Sequence, residues 1–210
     1  MKSFPTVYIV NPDTIVNSLT NRLLSSVNIF SRDFEAPSEL LHNLPLSSPS
    51  CVLISLFLPE MNGIELMMRL RKQGVHSPCI FASPKIDAEL VVKAMNSGGY
   101  SFIKKPFDHM ELIELVQSAL EYDEKSSKYA QASLNYIRSR DKLTLREKDI
   151  LDLLLKDLSA MKIATLLNIS HRTVENHRNK IFIKFGINKT TELIRLFTIY
   201  DTLKNVQRAG

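Results

Sequence analysis

Cysteine is scarce in this 210-residue chain, with only Cys51 and Cys79. Two cysteines exclude a disulfide scaffold and a cysteine-rich zinc site. Long apolar runs are missing as well: none approaches the roughly 18 residues that a membrane-crossing helix needs. The opening Met1-Lys2-Ser3-Phe4-Pro5 leads into a short apolar run broken at Asn11-Pro12. It has neither the long apolar core nor the small-residue cleavage site of a secretory leader, so a cytoplasmic protein is expected. Proline is absent after Pro106, all nine lying between Pro5 and Pro106. The second half is therefore free to be continuously helical.

The hydrophobic content of 44% is that of a folded globular chain. The length suits two domains of roughly 100 residues each. Charge is unevenly placed. Residues 137–210 hold 15 Lys and Arg against 8 Asp and Glu, a net of +7, whereas residues 1–136 hold 12 against 14, a net of −2. A mildly acidic front and a basic, proline-free back point to a tail that binds something anionic, most simply nucleic acid.

The first 120 or so residues alternate between short apolar runs and helix-like stretches. Strands are expected at 7–10, 27–30, 51–56, 79–82 and 100–103, and helices at 13–25, 38–44, 63–73, 87–97 and 108–122. Leu112, Leu115, Val116 and Ala119 have the spacing of one buried helix face. Ser38 and Asp108 read as helix N-caps, and Gly98-Gly99 as a helix end. Five successive βα units imply a parallel sheet covered on both faces. Residues 121–141 lack proline and glycine and read as an extension of the fifth helix plus a linker. Beyond them, Thr144 with Glu147 forms a capping box ahead of Ile150, Leu151, Leu154 and Leu155. Further helices are expected near 160–167, 170–185 and 190–203.

Leu158-Ser159 leads into Met161-Lys162-Ile163-Ala164-Thr165-Leu166-Leu167, then a tight Asn168-Ile169-Ser170 connection, then a polar helix from Arg172. This is a helix-turn-helix arrangement. In the second helix Val174, Ile181 and Phe185 form an inward stripe. Arg172, Glu175, Asn176, Arg178, Asn179, Lys180 and Lys184 occupy the other faces. Side chains that read base edges, beside cations that hold phosphates, are what a major-groove helix needs.

The run Leu143-Thr144-x-Arg146-Glu147, Ile163-Ala164, Leu167-x-Ile169-Ser170-x-Arg172-Thr173-Val174-Glu175-x-His177-Arg178, Ile181-x-x-Lys184-Phe185-Gly186 resembles the LuxR-type DNA-binding domain over about 55 residues. It departs from that family at Asp157, where glycine is usual, and at Ala160-Met161-Lys162, where Asn-Lys-Glu often follows. The resemblance implies that Glu175, Asn176 and Asn179 face bases. It places Thr173, His177, Lys180 and Lys184 near the DNA backbone or in support of the helix. His177 either packs or touches DNA.

The front half, with Leu58-Pro59-Glu60-Met61-Asn62-Gly63 after the third strand and Lys104-Lys105-Pro106-Phe107 after the fifth, resembles a response-regulator receiver over about residues 5–122. Together the two resemblances imply the NarL/FixJ plan: a flavodoxin-like (βα)5 sheet of order 2-1-3-4-5, then a small all-α domain of four helices. The implied division is 1–122 receiver-like, 123–141 helical linker and 142–210 DNA-binding. A phosphorylatable receiver carries acidic residues after its first strand and an acceptor aspartate after its third, which hold Mg²⁺, with a hydroxyl and a lysine after the fourth and fifth. By resemblance those positions here are Asn11-Pro12, Ser55, Ser83 and Lys105, with Phe102 at the aromatic switch position. A serine cannot form an acyl phosphate, and without carboxylates Mg²⁺ is disfavoured. The reading is a pseudo-receiver with no metal or cofactor.

Ser55, Ser83 and Lys105 are expected to converge at the strand ends, where they either bind a small anion or bond one another or water. If the third and fourth strands are neighbours, Cys51 and Cys79 sit at matching heights, either as a redox pair or as two buried small hydrophobes. No nucleophile–base pair, metal cluster or phosphate loop suggests an enzyme. The expected function is a sequence-specific, promoter-binding transcriptional regulator, a homodimer on double-stranded DNA, whose receiver-like domain acts through dimerisation or partner and ligand sensing. The competing class is a protein-interaction module with a weak or autoinhibited DNA-binding tail. Pairing surfaces are the first and fifth helices, or the last helix through Ile194, Phe197 and Thr198, of which Ile194 and Phe197 alternatively pack inward.

Overall fold

A computed structural model describes residues 4–85 and 87–209, so Met1, Lys2 and Ser3 of the leader reading lie outside the described residues. The chain divides into two compact units, residues 1–127 and 128–210. No described helix is long and apolar enough to cross a membrane.

In the first unit, short β-rich apolar runs form five strands: β1 (Thr6–Val10), β2 (Phe30–Phe34), β3 (Ser50–Ser55), β4 (Cys79–Ser83) and β5 (Ser101–Lys104). They pair in parallel in the order β2-β1-β3-β4-β5. The helices between them are α1 (Thr14–Ser26), α2 (Pro37–His42), α3 (Gly63–Lys72) and α4 (Ala88–Asn96), and α5 (His109–Asp141) follows. This is the flavodoxin-like doubly wound sheet.

The strand period of two sorts one apolar run into two cores. Val10, Val52, Ile54 and Phe81 face Leu66, Met67 and Leu70 of α3 and Ala94 of α4. Val7, Ile9, Leu53, Ile80 and Ile103 face Leu24 of α1 and Leu112, Val116 and Ala119 of α5. Every residue of β3 is buried, which is why it reads as a continuous Cys-Val-Leu-Ile run. Gly63 lets α3 start hard against the end of β3, since a Cβ there would lie 2.6 Å from the Ser55 carbonyl oxygen.

The second strand lies at 30–34, not at the expected 27–30. Val27 closes α1, its N–H donating to the Leu24 carbonyl and that of Asn28 to the Ser25 carbonyl, and Asn28 turns the chain with φ +58°. The strand itself is an edge in which Phe34 alone is buried. Apolarity therefore marked the wrong residues. The Ser38 cap is also displaced: α2 begins at Pro37 behind Ala36, and the Ser38 hydroxyl instead donates to Glu60 Oε1 at 2.6 Å. Proline at the first helical turn supplies the helical φ without a side-chain cap.

The second unit contains the C-terminal part of α5 and α6 (Leu145–Leu154), α7 (Ala160–Leu167), α8 (His171–Phe185) and α9 (Thr190–Ala209). Residues 123–141 are helical throughout. Ile150, Leu151, Leu154, Ile163, Val174, Ile181, Phe182 and Leu193 form its core. Tyr136, 1% exposed, sits among the rings of Phe185, Phe197 and Tyr200. The turn between α6 and α7 places Asp157 at φ +56°. Aspartate is among the few residues that tolerate this left-handed region, which is why it stands where the resembled family uses glycine.

Glu147 ties this unit together. Its carboxylate accepts from the Thr144 N–H at 2.8 Å, completing the capping box, and from Lys184 Nζ of α8 at 2.6 Å. Burial alone pushes its pKa up, but the Lys184 ammonium and the Thr144 N–H and hydroxyl together hold it down to about 2, from an ordinary 4.5. A depressed carboxylate pKa stabilises the fold above pH 4.5, and that stability is lost as pH falls toward 2. Glu147→Gln is expected to cost about 2–3 kcal/mol at pH 7. Urea melts at pH 7 and pH 3 check this: the gap between wild type and variant narrows at pH 3, and an unchanged gap refutes the linkage.

Candidate functional site

The carboxyl ends of β1, β3 and β5 converge on one lysine. Lys105 Nζ donates to Asn11 Oδ1 at 2.7 Å and to Ser55 Oγ at 3.3 Å. Ser55 Oγ is also 3.2 Å from the Phe57 carbonyl, to which it donates. Asn11 is held from behind by α1: its Nδ2 donates to Asn17 Oδ1 at 3.0 Å, and Asn17 Nδ2 returns to the Asn11 carbonyl at 2.9 Å. Both asparagines are buried.

Three of the expected pocket residues therefore meet: Asn11, Ser55 and Lys105. Ser83 is fully buried, but its hydroxyl accepts from the Lys85 N–H at 3.2 Å and does not reach the lysine. Pro12 is exposed, and Phe102 is half-buried against the α2–α4 side of the sheet. Asn17 was missed by sequence reasoning. Its signal was a polar residue on the buried stripe Asn17-Thr20-Leu24 of α1.

Lys105 is half-buried and has no direct ion-pair partner: among the described residues no carboxylate lies within ion-pair distance of it. Burial lowers its pKa, and the charge of Asp13 partly offsets this. The Asp13 carboxylate itself caps α1 through the Ile15 and Val16 N–H groups. Space beside the network is a void of about 10 Å³ lined by Asn11, Ser55, Ala82 and Lys105 among others. That holds one water at most, so of the two expectations for these side chains, mutual bonding describes the geometry.

The matched heights expected for the cysteines do not occur. The register pairs Val52, not Cys51, with Cys79. The one-residue offset sends the two side chains to opposite faces, Cys51 into the α1–α5 core and Cys79 into the α3–α4 core. Burial also drives both thiols toward the protonated form, Cys79 to about 11.

In the second unit Ser159 caps α7, and Asn168 ends it at φ +51°. Ser170 then caps α8 through the Thr173 N–H at 3.1 Å, with its hydroxyl 2.8 Å from that of Thr173. This short left-handed turn sets α8 against α7. Val174 and Ile181 face inward as expected, and Phe182 joins them, so the buried arc is wider than the sequence stripe. Arg172, Asn176, Asn179 and Lys180 are exposed on α8. Glu175 pairs with Arg178 at 3.0 Å, and the Arg178 guanidinium lies over the Phe182 ring at 5.6 Å. His177 is half-buried, and its Nδ1, like Arg178 Nε, has no hydrogen-bond partner among the described residues. Lys184 points inward to Glu147 and the Lys142 carbonyl, and thus supports the helix. On α9, Phe197 packs on Tyr136, Ile194 is half-buried and Thr198 is exposed.

Comparison with known proteins matches both units. Residues 7–117 match the response regulator receiver domain, and residues 141–197 match the bacterial regulatory proteins of the luxR family. The chain is 30% identical to the transcriptional regulatory protein FixJ of Bradyrhizobium diazoefficiens over 190 residues, covering 90% of this chain and 93% of that protein. It is 29% identical to the transcriptional regulatory protein TdiR of Thauera aromatica, covering 90% and 83%. The solved structure of the response regulator StyR superposes with a TM-score of 0.77 at 27% identity, covering 94% of this chain and all of that one. A receiver fold joined to a LuxR-type helix-turn-helix defines a DNA-binding regulator. The chain belongs to the response regulator family, with the plan of its NarL/FixJ-type transcriptional regulators.

The cysteine geometry gives a direct prediction. Mild oxidation with diamide is expected to leave the non-reducing electrophoretic mobility and the intact mass unchanged. An intramolecular disulfide would contradict the assigned faces.

Proposed function

We propose that this regulator works without aspartyl phosphorylation, as a pseudo-receiver that keeps the receiver fold. The supporting observation is the Lys105 ammonium resting on the neutral oxygens of Asn11 and Ser55. Phosphoryl transfer to a receiver needs an acyl-forming carboxylate and a cation-binding pair. Ser55 offers a hydroxyl, and Pro12 offers no ligand. Mg²⁺, which the family uses, does not fit this donor set, because it demands several hard oxygens with carboxylate charge. The Asn11 side-chain oxygen Oδ1 is already bonded to the Lys105 ammonium. Among the described residues no cluster of three His, Cys, Asp or Glu side chains suits a metal.

The proposed division is a receiver-like domain at 1–122, a helical linker at 123–141 and a DNA-binding domain at 142–210. Without a phosphorylation switch, pairing is constitutive: the chain is a homodimer that places two copies of α8 in successive major grooves. Asn176 and Asn179, exposed one turn apart, read base edges. Glu175 reads a base edge after releasing Arg178, and Arg172, Arg178 and Lys180 hold phosphates. Thr173 and His177 stand at the backbone-facing margin.

Incubation of the full chain with acetyl phosphate and Mg²⁺ is expected to add no phosphoryl mass and to leave DNA affinity unchanged. A phosphorylated chain with altered affinity overturns the reading. On DNA chosen by random-site selection, Asn176→Ala or Asn179→Ala is expected to cost about 1–3 kcal/mol on preferred sites and to relax sequence preference. Lys180→Ala is expected to weaken all DNA alike and to reduce the salt slope by about one. Anisotropy titrations at several salt concentrations measure both. The interaction-module reading survives only if the unmodified full chain shows no salt-sensitive DNA binding.

A further inference from the structure

Next to the closed network around Lys105 lies a second, open space. A groove of about 160 Å³ runs between α1 and the start of α5, walled mainly by Val16, Leu19, Leu23, Phe107 and Leu112, with Thr20, Lys105 and His109 as its polar lining. Its volume is close to that of an apolar cavity that accommodates benzene. Lys105 lines both the groove and the small void beside Asn11 and Ser55, as do Val16, Thr20 and Phe107.

An apolar groove beside an uncompensated cation selects one ligand chemistry. Apolar wall area rewards a compact hydrocarbon or aromatic body. A carboxylate would give Lys105 the charge partner that no described residue provides, and a charge-assisted hydrogen bond exceeds the neutral ones the lysine now makes. Inorganic phosphate suits neither feature: it has no apolar body, and the void holds at most one water.

We propose that the α1–α5 groove binds a small apolar monocarboxylate, its hydrocarbon or aromatic body against Leu19, Leu23 and Leu112 and its carboxylate on Lys105. Binding draws the ammonium from Asn11 and Ser55 toward the groove. That movement leaves Asn11 Oδ1 and Ser55 Oγ without the ammonium and so links ligand occupancy to the β1–α1 and β3–α3 loops. The inference rests on the reading that this unit works without aspartyl phosphorylation. The acetyl phosphate experiment tests that reading separately, so absence of ligand binding in a chain that takes no phosphoryl group sinks this inference alone.

Amide chemical-shift titrations of the full chain test it, with benzoate and hexanoate as probes against benzyl alcohol and 1-hexanol. At least one acid is expected to perturb residues 16–23 and 105–112 saturably, with affinity at least about ten-fold above its matched alcohol. Lys105→Met is expected to abolish that difference. Leu19→Glu, at an exposed position on the groove rim, places a carboxylate at the entrance and should weaken the acid more than the alcohol while leaving the fold intact. Equal affinity for acid and alcohol overturns the proposal. So does an acid preference that survives Lys105→Met, or no saturable perturbation of these residues by either acid.

Discussion

A lysine ammonium carried into the carboxyl end of a parallel sheet is the constraint on which the first unit turns. In water such a charge is solvated on all sides. Here it is half enclosed, and the oxygens that replace water are one amide and one hydroxyl. Neutral acceptors compensate a buried cation less well than carboxylates do. Two responses follow in the geometry. The amide is pinned by a second buried asparagine, so that its oxygen is fixed at the lysine. On the Asn11 and Ser55 side the remaining space is only about 10 Å³, room for one water at most.

The same problem is solved oppositely in the second unit. Glu147 is an anion removed from water, and it receives a full counter-charge from Lys184 together with the capping-box hydrogen bonds. One buried charge is therefore satisfied and its pKa driven away from neutrality, while the other is left partly wanting. The satisfied pair joins the start of α6 to the end of α8 and fixes the angle at which α8 presents its polar face. The unsatisfied lysine, by contrast, sits beside a groove and retains the capacity to change partners. Structural charges are closed off; a charge that still has somewhere better to go is what a sensing site requires.

Much of this was legible in the sequence, for reasons that differ by element. Buried strands announced themselves because both faces of β3 and β4 are covered, so apolarity persists along the run. The edge strand β2 did not, because one buried residue in five leaves no apolar signal. In the second unit the Thr144–Glu147 capping box was readable in the sequence and is present, while Ser159 and Ser170 cap the next two helices without having been read as caps. At the pocket the identities of Asn11, Ser55 and Lys105 followed from position in the chain, but their mutual bonds required the third dimension. Asn17 was hidden because a lone asparagine on a helix reads as surface. The cysteines were misplaced by one residue of register, and in a sheet one residue reverses the face.

That sensitivity to register bears on how a receiver fold holds its strand-end side chains in place. The strand ends are aligned by the hydrophobic alternation of the whole sheet, not by the groups displayed there. Asn11 and Ser55 stand at the ends of strands whose Val7, Ile9, Leu53 and Ile80 are held in the core, so the display does not depend on which groups it carries. The groups on display here are neutral oxygens facing a lysine. On the proposed reading such a site no longer waits for a divalent cation and a phosphoryl group, and its remaining demand is for an anion. The groove between α1 and α5, which Lys105 also lines, is where the proposed ligand meets that demand, its apolar wall selecting among anions.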